Sequence, residues 1–178
     1  MALRKASAYT KKYARPFTRK SKKKAKSYIK AVPPQKIVKF NMGKLREFED
    51  GKFKVILRVK TNEKIQIRDN ALEAARQTIH KHLEKNLQGQ FFFSVRKFPH
   101  HILRENKVLT GAGADRMQSG MKHSYGKAMG RAAFAKKGED ILVVAVNGEK
   151  ATKIAREAIR KTKPKLPFKV HIETEYKK

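Results

Sequence analysis

The stretch Gly111–Arg131, GAGADRMQSGMKHSYGKAMGR, holds five of the chain's ten glycines. It keeps neither a helical nor a strand period for more than a few positions. Glycine costs backbone entropy when ordered, so it is used where the chain turns sharply or approaches a partner closely. Such a run builds no core, and the rest of the chain must fold around it. Arg116, Lys122, Lys127 and Arg131 are interleaved with the glycines, and His123 sits among them. The expected partner is polyanionic. The segment is not a nucleotide-binding loop: Arg116 stands where the third glycine of G-x-G-x-x-G belongs, and no Gly-Lys-Ser/Thr closes a P-loop.

Charge points the same way. The chain of 178 residues has 45 Lys+Arg against 15 Asp+Glu, a formal net charge of +30. Self-repulsion on that scale opposes compaction unless a partner neutralises it. A pI near 10.5 lies in the range of nucleic-acid-binding domains. The sequence shows no apolar run long enough to span a bilayer and no secretory h-region, so no membrane partner is expected. Cysteine is absent, which excludes disulfides, thiolate metal sites and cysteine nucleophiles, and fits an intracellular protein.

The first acidic residue is Glu47. Before it, Met1–Lys30 is rich in Lys, Arg, Ser and Ala. We read residues 1–34 as a basic arm, extended until it meets its partner. Its cations Arg4, Lys5, Lys11, Lys12, Arg15 and Arg19 lead into the run Lys20, Lys22, Lys23, Lys24 and Lys26. Tyr9, Tyr13, Phe17 and Tyr28 are spaced through it and are suited to stack on bases. Residues 35–178 read as one domain with a long loop at 99–130.

Within that domain, Lys36–Asn41, Phe53–Lys60 and Lys64–Arg68 read as strands, with a turn at Glu49–Gly51. Asp69 or Asn70 is placed to cap a helix carrying Leu72, Ala75, Ile79, Leu83 and Leu87 on one stripe, ended by Gly89. Gln90–Phe98 is a strand whose Phe91–Phe93 are core. Arg131–Lys136 returns as a strand, and the fully apolar Ile141–Val146 is central. Asn147 is placed to cap a helix with Ala151, Ile154, Ala155, Ala158 and Ile159 buried, stopped by Pro164 and Pro167. Phe168–Thr174 is the last strand. The order is α+β: two helices packed on a mostly antiparallel sheet or open barrel.

Enzymatic chemistry has no footing. His80 and His82 point to different helix faces. His100 and His101 have no neighbouring carboxylate to orient them, and each histidine reads as satisfied or solvent-facing. As an alternative, His100, His101 and His123 stack on bases or donate to phosphates. Asp115 is the sole acid between Glu105 and Glu139, too few for paired carboxylates or two metals. Neither cofactor nor metal is expected. A DNA-compacting chromatin-type protein would share the charge, but no helix-turn-helix, basic zipper or dimer seam is visible.

The block GAGADRMQSGMKHSYGKAMGRAA at Gly111–Ala133 resembles the family of universal large-subunit ribosomal protein sixteen, in the archaeal and eukaryotic form formerly called ten-e. KIVKFNMG from Lys36, ALEAARQ from Ala71, FSVRKFPHHILREN from Phe93 and AREAIRK from Ala155 agree in order and spacing. The resemblance covers roughly Tyr28 to the C-terminus, and the arm matches least. It implies a hammerhead-type α/β sandwich, a structural role in the cytoplasmic ribosome, and binding to large-subunit rRNA through the arm, Arg96, Lys97 and the glycine segment. It further implies that a loop at about Ile102–Gly113 faces tRNA acceptor ends near the peptidyl-transferase centre. His100, His101, Arg104, Asn106, Lys107, Gly111 and Gly113 would line that approach. Neighbouring ribosomal proteins are implied partners, and homo-oligomers are not.

Overall fold

A computed structural model describes residues 5–10, 17–18, 29–106 and 126–177. Among these residues, eight strands form two sheets. Strands β1 (Asn41–Gly43), β2 (Val55–Lys60), β4 (Phe91–Val95), β7 (Asp140–Val146) and β8 (His171–Tyr176) make a five-stranded sheet in the order β1-β4-β7-β2-β8. Strands β3 (Ile65–Arg68), β5 (His101–Glu105) and β6 (Lys127–Ala135) make a three-stranded sheet in the order β3-β6-β5. The strand pairings in both sheets are antiparallel. Helices α3 (Asp69–Leu87) and α4 (Glu149–Arg160) pack on each other and on the sheets, and two shorter helices, α1 (Ser7–Thr10) and α2 (Leu45–Glu49), lie outside that layer. The α+β class is as expected; the division into two sheets is new.

The period of 3.6 accounts for the helix layer. Leu72, Ala75, Ile79 and Leu83 of α3 and Ala155, Ala158 and Ile159 of α4 are all fully buried. Burial of a leucine- or phenylalanine-sized side chain contributes about 1.5–3 kcal/mol, and these residues share one cluster with Leu57, Phe91, Phe93, Leu142 and Val144. The triple phenylalanine has a specific explanation. Phe91 and Phe93 face the helices, while Phe92 points to the opposite face, where it joins Phe53, Ile56, Val143 and Ala145. Phe48 of α2 stacks on Phe92 with centroids 4.2 Å apart. Strand β7 is apolar at every position after Asp140 because both faces of its sheet are covered, and it is the central strand as expected.

Three local expectations are corrected. Lys36–Phe40 is not strand; only Asn41–Gly43 pairs, with β4. Helix α3 captures those amides instead: Lys36 N–H donates to Asp69 Oδ2 at 3.3 Å and Val38 N–H to Glu73 Oε2 at 3.4 Å. Asp69 does not cap from outside. It lies in the first turn of α3, where Oδ1 accepts from Asn70 N–H at 2.8 Å. Asn147 does not cap α4, whose N-cap is Gly148. Its amide ties down the chain before β2, with Oδ1 accepting from Lys54 N–H at 2.7 Å and Nδ2 donating to the Lys52 carbonyl at 3.2 Å. The expected end of α3 stands: Gln88 is left-handed at φ 45° and Gly89 follows at φ 80°.

The long loop expected at 99–130 is shorter at both ends, because β5 takes residues from its start and Lys127–Gly130 begins β6. Gly126 makes the join possible. It has φ +85°, and a Cβ there would sit 2.4 Å from the Glu105 carbonyl carbon. This glycine permits a close approach, but to the chain's own backbone.

Candidate nucleic-acid interface

The three-stranded sheet has one face toward the core. Ile65 and Ile67 lie opposite Ala135 and Ala133 in register, and all four are buried. Alternation then places Gln66, Arg68, Ala132, Phe134 and His101 on the other face. The described pieces of the basic arm cover that face. Ser7–Thr10 forms one helical turn, not extended chain, and Gln66 Nε2 donates to the Tyr9 carbonyl at 3.2 Å. The Arg68 guanidinium lies 5.3 Å from the Tyr9 ring centroid.

Phe17 makes the second attachment, at the open edge of β5. Its N–H donates to His101 Nδ1 at 2.8 Å, and its carbonyl accepts from Ile102 N–H at 3.0 Å. The Arg104 guanidinium stands 4.3 Å from the Phe17 ring centroid. His101 packs on Phe134 at 4.7 Å and is 7% exposed. Burial, with the charge of Arg104 second, pushes its imidazole down to about 4. A neutral ring is what the geometry requires, since an imidazolium has no lone pair to accept the Phe17 amide.

This corrects two site expectations. His101, expected to line the approach to tRNA, is a buried acceptor of the Phe17 amide inside the protein. Ile102 and Leu103 are buried strand residues, so the loop expected to begin at about Ile102 is strand through Glu105. Tyr9 and Phe17, read as base-stacking residues, lie under arginines of their own chain. Arg68 was missed, although its alternation with Ile65 and Ile67 marks it as outward-facing.

The other expected site residues divide. Lys5, Arg96, His100, Arg104, Asn106 and Lys127 are exposed. Arg96 lies 6.0 Å from the Phe48 ring centroid. Lys97 is ion-paired with Glu139, which holds the Glu139 carboxyl below its usual range. Arg131 is half-buried and donates from Nε to the Pro33 carbonyl at 2.7 Å, so both have structural partners. Arg4, Lys11, Lys12, Arg15, Arg19, Lys20, Lys22, Lys23, Lys24 and Lys26 lie outside the described residues, as do Lys107, Gly111, Gly113, Arg116, Lys122 and His123.

Charge is segregated between the sheets. The strands of the three-stranded sheet carry Arg68, Arg104, Lys127 and Arg131 against one acid, Glu105. Those of the five-stranded sheet carry Arg58 and Lys60 against Asp140, Glu173 and Glu175. There Arg58 reaches both Asp140 and Glu175 at 2.8 Å, and Lys60 pairs with Glu173. By count, the strands of the five-stranded sheet carry acids matched to their own cations, and those of the three-stranded sheet carry a net positive charge, next to the roots of the arm and of the 107–125 segment. Among the described residues no three His, Asp or Glu are grouped to hold a metal, and no helix is long and apolar enough to cross a membrane.

Such a molecule is a basic α+β scaffold in which one sheet carries a net positive charge. Comparison with protein families matches residues 16–173 to the family described as Ribosomal protein L16p/L10e. Large ribosomal subunit protein uL16 of Hyperthermus butylicus is 44% identical over 169 residues, covering 92% of this chain and 88% of the relative. The protein of the same name from Sulfolobus acidocaldarius is 42% identical over 176 residues, covering 97% and 94%. That of Methanococcus maripaludis is 41% identical over 168 residues, covering 94% and 91%. The chain therefore belongs to the ribosomal protein L16p/L10e family, the family its glycine-rich block resembles. Members of this family are structural components and not enzymes.

Proposed function

We propose that this chain is a structural component of the large ribosomal subunit that binds rRNA and helps position tRNA acceptor ends near the peptidyl-transferase centre. The observation that carries the reading is the charge segregation: the three-stranded sheet is cationic, while the acids of the five-stranded sheet are bound by Arg58 and Lys60. Phosphate contacts position a protein on nucleic acid without needing base readout, which suits a scaffold. Lys5 of the arm, Arg104 and Lys127 supply cations on that side. The five-stranded sheet with β8 at its edge is then the side left for neighbouring ribosomal proteins, and a single copy suffices. The relatives' shared name supports the particle.

Crosslinking in native particles, mapped to nucleotides, tests this. Crosslinks to rRNA are expected from Arg68 and Lys127 and not from Glu173 or Glu175. Crosslinks concentrated on β8 would overturn the orientation. The tRNA role is tested by Arg104→Ala in reconstituted subunits: tRNA accommodation or peptide-bond formation slows while the protein stays bound. Loss of the protein from the subunit would make Arg104 an rRNA anchor instead.

A further inference from the structure

Three aromatic rings pack in series, one pair stacked and the next tilted, at the surface where the chain crosses from one sheet to the other. Phe40 and Phe98 stack with centroids 5.3 Å apart and planes 23° apart. Phe98 and His100 follow at 4.5 Å and 44°. Phe40 is half-buried against the core, so the base of the stack is fixed. Phe98 is 39% exposed and His100 is exposed. The backbone is fixed as well: Val95 N–H donates to the Phe40 carbonyl at 2.8 Å and His100 N–H to the Phe98 carbonyl at 3.0 Å. Val38, beside Phe40 in sequence, is 73% exposed, and Lys36 and Lys39 flank it in the open. Glu139, which reaches Lys97 beside Phe98 in sequence, is already bound by that lysine. Phe98 lies between Phe40 and the His100 ring and still exposes 39% of its surface, so its outer edge and the exposed His100 ring are what a ligand meets.

We propose that Phe98 and His100 form a stacking platform for an unpaired nucleobase of rRNA, with Lys36 and Lys39 placed for its backbone. The proposal rests on the rRNA-binding reading above and gives that reading a specific contact. Every base has a π-face, and base–aromatic stacking beside cations is how single strands are held without sequence readout. A bound strand of rRNA fits better than a visiting tRNA, because a transient ligand leaves the ring wet between visits.

The chain contains no tryptophan, so Phe98→Trp installs a single fluorescent reporter in the full-length protein. Its emission is expected to be quenched on saturation with a large-subunit rRNA fragment and left unchanged by deacylated tRNA alone. Phe98→Leu keeps an apolar side chain but no ring. It is expected to weaken binding of the fragment roughly five- to a hundredfold, the range of one base–aromatic stack, with an unchanged slope of log K against log salt. Phe98→Tyr is expected to restore affinity, which a packing role would not predict if Phe98→Leu melts like wild type. Lys39→Ala is expected to behave oppositely, with a shallower salt slope. An indole that stays unquenched in the Phe98→Trp protein, or a Phe98→Leu protein that binds like wild type, overturns the platform. Quenching by tRNA alone overturns the rRNA assignment. Absence of any salt-dependent binding, by contrast, overturns the rRNA-binding reading itself.

Discussion

His101→Gln isolates the attachment of the arm. In the folded protein the imidazole is held at about 4, against its ordinary value of 6.5. Between those values the unfolded chain binds the proton and the folded chain does not, so stability rises with pH across that window. The contribution of a neutral His101 is complete above about pH 6.5, is lost as pH falls, and is constant below about pH 4. At about 1.4 kcal/mol for each unit separating the two states, the loss is on the order of 3 kcal/mol. The side chain is 7% exposed, so solvent screening takes little of it. Glutamine retains an acceptor for Phe17 N–H and does not titrate. Urea unfolding of wild type and His101→Gln from about pH 7 to about pH 4 supplies the difference, and the variant cancels every other titrating group. The wild-type advantage is expected to shrink by roughly 3 kcal/mol over that range, and the Phe17 amide signal to shift in step. Parallel stability curves for the two proteins would refute the reasoning, since His101 would then titrate alike folded and unfolded.

Binding to rRNA fragments should fall steeply with salt, by about −0.7 to −0.9 in log–log slope for each phosphate neutralised; a flat response in filter binding removes the electrostatic basis. Gly126→Ala should destabilise by about 1–3 kcal/mol, because it forces a left-handed residue into the Glu105 carbonyl, whereas Gly130→Ala, which meets open space, should be neutral or stabilising by up to about 1 kcal/mol; thermal melts compare them. Asn147→Ala should cost about 1 kcal/mol by releasing two backbone bonds, read in the same melts. Arg104→Ala should cost about 0.5–1 kcal/mol in the free protein, the value of an exposed cation–π contact, and protease cleavage near Phe17 should accelerate with it.

The sequence by itself determined the elements whose period is complete. The stripes Leu72–Leu83 and Ala151–Ile159 fall on helices, the apolar run Ile141–Val146 is the central strand, and Gly89 lies at the end of α3. It also determined the class of partner, because a charge of +30 needs an anion wherever the cations lie. Only the tertiary structure decided where backbone groups find partners across long separations. Lys36–Phe40 has strand composition, yet Asp69 and Glu73 take its amides and keep it out of the sheet. Asn147 has cap chemistry, yet Lys52 and Lys54 lie nearer. His101 and Phe17 are separated by most of the first hundred residues, and nothing local in either marks a hydrogen bond between them. The same holds for charge. Composition counts Arg58, Lys97 and Arg104 alike, but folding sets the first two against acids and turns the third outward on an aromatic ring. Period and composition are properties of neighbours along the chain. Neutralisation and exposure belong to neighbours in space, and those exist only once the two sheets have formed.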